Sequence, residues 1–174
     1  GHGSFEELAP RNFSFNSPYG ACEVCDGLGT RFEVDPELVV PNADVSINDG
    51  AISPWAGGHS QYFKRLVEAV AEDLGAKVDV PWSKLSKKHQ QALLHGTGVG
   101  KVQVRYKNRY GRVRQYTASY EGVLPYLQRR HSESESDAQR EQIEGYMREV
   151  PCPVCEGARL RPLSLAVTID GHSI

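Results

Sequence analysis

The sequence predicts an α+β protein: a mixed domain, with a basic β-hairpin and several short helices, carried on a split four-cysteine module. Three observations predict it. All four cysteines fall in two Cys-x-x-Cys pairs near opposite ends of the chain, Cys22/Cys25 and Cys152/Cys155, with 126 residues between them. Two stretches repeat apolar residues at helical spacing and stop at a glycine. A third stretch alternates apolar and basic residues as a half-buried strand does.

Taken in order, residues 12–34 read as extended and turn-rich, with Phe13 and Phe15 alternating toward one face before the first cysteine pair. From Asp35 to Pro54 the Pro, Asn, Asp and Gly content indicates turns and short edges. A helix is expected over 61–74, capped by Ser60, carrying Phe63, Leu66, Val67, Val70 and Leu74 on one face and ending at Gly75. A second helix over 86–95 has Ser86 as cap and Gly96 as stop, with Lys87 and Lys88 in its first turn. Strands over 101–107 and 112–118 form a hairpin through the turn Asn108–Gly111. Glu121 to Arg130 reads as a short helix that tolerates Pro125 near its start. The Ser-Glu run 132–137 reads as solvated and mobile, 137–148 as a polar helix, and 163–169 as a strand followed by the turn signal Asp170-Gly171. The expected domains are 1–35, the first half of the cysteine module; 36–148, an inserted domain; and 149–174, the second half and its strand.

Composition bounds the function. A chain of 174 residues, 39% hydrophobic and 24% charged, can bury one core with a small satellite. No apolar run is long enough to span a bilayer. A net charge of −2 offers no global attraction to nucleic acid, so any such binding must come from local clustering. The chain stops just after a strand-like run, as a segment of a longer protein would, and Gly1–Ser4 is either native or a cloning remnant.

The cysteines carry the strongest chemistry. Each pair continues as C-x-x-C-[DE]-G, through Asp26-Gly27 and Glu156-Gly157. Two such knuckles supply the four thiolates of a tetrahedral structural zinc site, and the glycine lets the chain turn behind the sulfurs. Paired disulfides, a thioredoxin-like redox motif and an iron–sulfur cluster are the alternatives. They lack, respectively, a secretory context, a βαβ setting and ferredoxin spacing. The six histidines (His2, His59, His89, His95, His131, His172) do not pair at ligand spacing and read as surface or half-buried residues.

The hairpin carries the charge. Lys101, Arg105, Lys107, Arg109, Arg112 and Arg114 occur with no acidic residue among them. Lys101, Arg105 and Lys107 share the face opposite Val102, Val104 and Tyr106, and the second strand is expected to set Arg112, Arg114 and Tyr116 beside them. Such a strip suits phosphate oxygens; a merely solvated sheet face is the plain alternative. Arg129-Arg130-His131 is a weaker patch beside acidic residues. Gly96–Val102 imitates a phosphate loop but has His95 and Val102 where the pattern requires glycine and Ser/Thr, and reads as a helix stop and turn. No nucleophile–base pair or carboxylate dyad proposes catalysis.

The string from Phe13 through Ser17-Pro18-Tyr19-Gly20-Ala21-Cys22 to Gly29, with Pro151–Leu160, Glu121–Leu124 and Arg129-Arg130, resembles the UvrA family over essentially the whole chain. UvrA proteins are dimeric ABC-class ATPases that recognise damage in bacterial nucleotide excision repair. The resemblance implies one structural zinc on Cys22, Cys25, Cys152 and Cys155, an insertion domain that helps engage double-stranded damaged DNA, and a cytoplasmic setting. ATP and Mg²⁺ binding, the homodimer contact and the UvrB contact would lie in the parent protein outside these residues, so this segment would be no enzyme. UvrA-like paralogues share these motifs. A structural or protein-interaction zinc module is the alternative function, since C-x-x-C-x-G-x-G repeats also resemble DnaJ-type zinc domains. A redox enzyme is the third.

Overall fold

The apolar face that begins near Gln61 forms helix α2 (Gln61–Leu74), with Leu66, Val67, Val70 and Ala71 buried. Its end is closed by two backbone bonds, Gly75 N–H to the Glu72 carbonyl and Ala76 N–H to the Ala71 carbonyl, the pair that a left-handed glycine allows. The computed structural model describes residues 8–57, 61–98, 100–169 and 172–173; the expected cap Ser60 and the Asp170-Gly171 turn lie outside them. The chain divides into two units, one formed by Val34–Arg148 and the other by the described residues up to Glu33 and from Glu149 onward.

Strand β1 (Thr30–Val34) ends at the start of the Val34–Arg148 unit, which opens with a short helix α1 (Pro36–Val39), whose cap Asp35 accepts the Glu37 N–H at 2.7 Å and pairs with Arg148 at 2.6 Å. Helix α3 (Lys87–His95) starts where Ser86 Oγ accepts the His89 N–H at 3.2 Å. It stops at Gly96, which faces Gly122 so closely that a Cβ on Gly122 would stand 2.3 Å from the Gly96 nitrogen. That approach joins the end of α3 to the start of α4 (Val123–Glu133). Strands β2 (Lys101–Lys107) and β3 (Val113–Ser119) pair antiparallel, and α2 packs on β2.

The core is aromatic at its centre. Trp55 stacks on Phe63 at 4.7 Å and meets the edges of Tyr120 and Tyr126. The buried Tyr120 hydroxyl donates to the Leu93 carbonyl at 2.6 Å, tying the segment after β3 to α3. Between α4 and α5 (Asp137–Glu144) the Ser-Glu run is exposed, as expected, except at Ser134. Ser134 is buried, its Oγ donating to Gln139 Oε1 at 2.9 Å, and Ser136 caps α5. The polar helix is shorter than expected, because Met147–Pro151 turns into strand β4, which pairs with β1.

In the second unit, Phe13 sits in a 3₁₀ turn (Pro10–Phe13), so it does not alternate with Phe15 along an extended segment. An isolated bridge joins Ala21 to Leu160. The expected strand over 163–169 is instead a short helix α6 (Pro162–Leu165) with Pro162 at its first position and Ser164 buried, its hydroxyl donating to the Asn12 carbonyl. Only Thr168–Ile169 is extended, as β5, paired with β6 (His172–Ser173).

Candidate metal centre and nucleic-acid interface

The two cysteine knuckles fold alike because their sequences are alike. In each, the residue after the second cysteine has left-handed φ (Asp26 and Glu156, both +49°), followed by a glycine at φ +77° (Gly27) or +93° (Gly157). The chain thereby doubles back: the Gly27 N–H reaches the Cys22 carbonyl and Leu28 that of Cys25, while Glu156 reaches Cys152 and Ala158 reaches Cys155. The halves are stitched by Cys22 N–H to the Arg159 carbonyl and Cys152 N–H to that of Gly29. Arg161 donates to the Pro18 and Ala21 carbonyls and pairs with Glu23. Arg159 lies over the Phe15 ring at 4.4 Å.

This brings Cys22, Cys25, Cys152 and Cys155 together, all buried, with every sulfur within 4.8 Å of the others. Between the knuckles, the sulfurs stand 3.9 Å apart for Cys22 and Cys152 and 3.7 Å apart for Cys25 and Cys155. A tetrahedron with Zn–S bonds of ~2.3 Å has sulfurs ~3.8 Å apart, so the donor set fits zinc. A disulfide needs about 2.0 Å, and all four cysteines are free. Backbone N–H groups face the sulfurs, Gly29 toward Cys25 at 3.2 Å and Val24 and Cys25 toward Cys22. Burial pushes the Cys22 thiol up to about 11, whereas the N–H groups of Cys155 and Val154 hold the Cys152 thiol down at about 7. A dication among the four would favour the thiolate at each of them. Among the described residues no other group of His, Cys, Asp and Glu can hold a metal. Of the histidines, His89 and His95 lie on α3, His131 Nε2 meets Glu144 Oε1 at 2.9 Å, and His2, His59 and the His172 side chain lie outside the described residues.

The hairpin register sorts the basic residues onto two faces. Lys107 pairs with Val113, Tyr106 with Arg114, Arg105 with Gln115 and Val104 with Tyr116. Lys101, Gln103, Arg105 and Lys107 therefore share the solvent face with Val113, Gln115, Thr117 and Ser119. Arg114 and Tyr116 do not join them: they lie on the face of Val102, Val104 and Tyr106. The connection runs over 108–112, one residue longer than expected, and that single step turns the whole second strand over. Arg109 and Arg112 stand in the connection itself. None of the six pairs with an acidic side chain among the described residues. The weaker patch behaves otherwise: Arg129 is held by Glu121 at 2.6 Å and Glu133 at 2.9 Å, which raises its pKa. The helix stop at Gly96 and strand start at Lys101 stand as read, with Val99 outside the described residues. No described helix is long and apolar enough to cross a membrane.

Residues 35–145 match the family model described as the UvrA DNA-binding domain. UvrABC system protein A of Streptomyces coelicolor is 59% identical over 172 residues, covering 98% of this chain and 17% of that protein. The same protein of Mycobacterium tuberculosis is 55% identical (97% and 17%), and that of Bacillus subtilis 47% (98% and 18%). The crystal structure of UvrA2 from Deinococcus radiodurans superposes with a TM-score of 0.76 at 27% identity, over 94% of this chain and 21% of that one. The chain thus spans about a sixth of the length of the curated relatives it matches. Two knuckles that close on one another, and a hairpin domain that matches a DNA-binding family over most of its length, place this chain in the UvrA family.

Proposed function

We propose that this chain is a zinc-organised, DNA-contacting segment of an excision-repair ATPase. Cys22, Cys25, Cys152 and Cys155 would hold one structural zinc that closes the two ends of the chain around the inserted residues 36–148. The solvent face of the hairpin would then meet the phosphates of damaged duplex DNA through Lys101, Arg105 and Lys107, with Arg109 and Arg112 at the connection. The observation that carries this reading is that face: three cations and four neutral polar side chains, no acid and, among the described residues, no ion pair to be broken on binding. Contacts to phosphate position a protein without reading sequence, as a scanner of damage requires.

ATP and Mg²⁺ binding, the homodimer contact and the UvrB contact belong, in this reading, to the rest of a cytoplasmic parent protein, and this segment does no catalysis. A second reading, packing against protein, is favoured by Val24, Leu28 and Val154, which stand exposed on the knuckles. Elemental analysis together with DNA titrations at 50 and 200 mM salt tests the proposal. One zinc per chain and a ~500-fold loss of affinity across that range are expected if five phosphates are neutralised, at ~0.9 logarithmic units of slope each. Zinc with no DNA binding would leave the protein-packing reading in place. No zinc would overturn the metal centre.

A further inference from the structure

We propose that the hairpin tip stacks its Tyr110 ring on a nucleobase that has left the helical stack, so that this chain prefers DNA with an unpaired base to intact duplex. The inference rests on the DNA-binding reading above and adds to it a partner for the tip. Tyr110 is 70% exposed, the highest among the large hydrophobic side chains described. An isolated exposed ring is ordinary on a protein surface. This one differs in how it is held.

The tip is built to keep its backbone still. Asn108 Oδ1 accepts both the Tyr110 and the Arg112 N–H at 3.0 Å. The Asn108 N–H donates to the Arg112 carbonyl at 3.0 Å, and the Gly111 N–H to the Asn108 carbonyl at 2.9 Å, with Gly111 at φ +74°. One face of the ring is occupied already, since the Arg109 guanidinium lies 4.7 Å from its centroid. Among the described residues no aromatic ring stacks on Tyr110, and Val113 at the start of β3 is 66% exposed. Arg109 and Arg112 flank that surface with positive charge, and the strand cations follow behind it.

The occupant follows from this chemistry. Flanking cations call for phosphates, and a preset flat ring calls for a second flat ring. A base in an intact duplex has both faces covered by its neighbours. A base beside a gap, a bulge or a distorting lesion offers one face free. Stacking on it needs no hydrogen-bond code, because every base has a π-face. A two-stranded ribbon fits the major groove, about 12 Å wide, so the tip can reach such a base from there.

The test uses the full chain and two duplexes, one fully paired and one with a single bulged 2-aminopurine, whose fluorescence falls when it stacks. The unsubstituted chain should bind the bulged duplex about tenfold more tightly and quench its fluorescence, in keeping with base–aromatic stacking. Tyr110→Ala should lose both the preference and the quenching while its affinity for the paired duplex stays within about twofold. Tyr110→Phe should keep both, since the ring and not the hydroxyl stacks. Preference and quenching that survive in Tyr110→Ala would overturn the inference. So would salt-sensitive binding of the unsubstituted chain to both duplexes without preference, which leaves the phosphate contacts intact. Binding to neither duplex would overturn the DNA-contact reading and this inference together.

Discussion

Replacing Gly27 by alanine separates two glycines that the sequence repeat treats as equivalent. Both follow the second cysteine of a knuckle, and both have left-handed φ, +77° at Gly27 and +93° at Gly157. Placing an L side chain in that region costs on the order of 1–2 kcal/mol. At Gly157 this is the whole cost, because an added Cβ meets no heavy atom within 4 Å. At Gly27 the Cβ would stand 2.2 Å from the Phe15 carbonyl oxygen and 3.3 Å from the Ala21 Cβ. The oxygen belongs to the backbone, so the arm carrying Phe15 must move, and forced overpacking of this kind adds ~1–3 kcal/mol. Folding of such a module is coupled to its metal, so the loss appears in zinc affinity. With tenfold per 1.4 kcal/mol, Gly27→Ala should weaken zinc binding ~100-fold or more and Gly157→Ala by ~10-fold. Competition against a chromophoric chelator measures both. Equal losses at the two positions would refute the steric argument and leave only backbone conformation to explain either.

Three further outcomes are expected. If the cysteines hold zinc as proposed, chelation, or Cys25→Ser, should unfold the cysteine unit while Val34–Arg148 keeps its own cooperative melt; one shared transition lost on metal removal would contradict two units. Leu93→Ala, at a fully buried position of α3, should cost ~2–5 kcal/mol in denaturant unfolding, and a loss near zero would mean that α3 is not part of the core. Burial raises the Tyr120 pKa above its ordinary value of 10.0, so above that pH the unfolded chain gives up a proton that the folded chain keeps. Stability should therefore fall by ~1.4 kcal/mol per pH unit from this group between its unfolded and folded pKa, and Tyr120→Phe should remove that slope while costing ~1 kcal/mol at neutral pH. An unchanged slope in the variant would show that Tyr120 is not what the alkaline loss reports.

The parts legible in the sequence were those specified locally. Helices α2 and α3 follow from apolar spacing bounded by Gly75, or by Ser86 and Gly96, and each of those residues performs its capping role with its own atoms. The four cysteines converge because the repeated C-x-x-C-[DE]-G string fixes the backbone of each knuckle, although the left-handed Asp26 and Glu156 gave no sign beyond the repeat itself. What escaped was decided by partners distant in sequence or by a count of one. The strand face of Arg114 depends on whether four or five residues cross the hairpin tip, and period-two alternation converts that count into a change of side. Leu163–Leu165 alternates like a strand, yet Pro162 starts a helical turn there and Ser164 anchors it on Asn12. The serines of 132–137 looked like solvated spacer, yet Ser134 hydrogen-bonds Gln139 and Ser136 caps α5. Polar residues reveal such roles only once the neighbouring backbone is in place.

The salt dependence of DNA binding in two variants tests the proposed interface most directly. Arg105→Ala with Lys107→Ala removes two cations from the acid-free face, and Arg114→Ala removes one from the opposite face. The double variant should lose ~1.8 units of the log-affinity against log-salt slope, at ~0.9 per phosphate, while Arg114→Ala leaves the slope unchanged. A slope that falls with Arg114→Ala and holds in the double variant would contradict the assignment of DNA to this face.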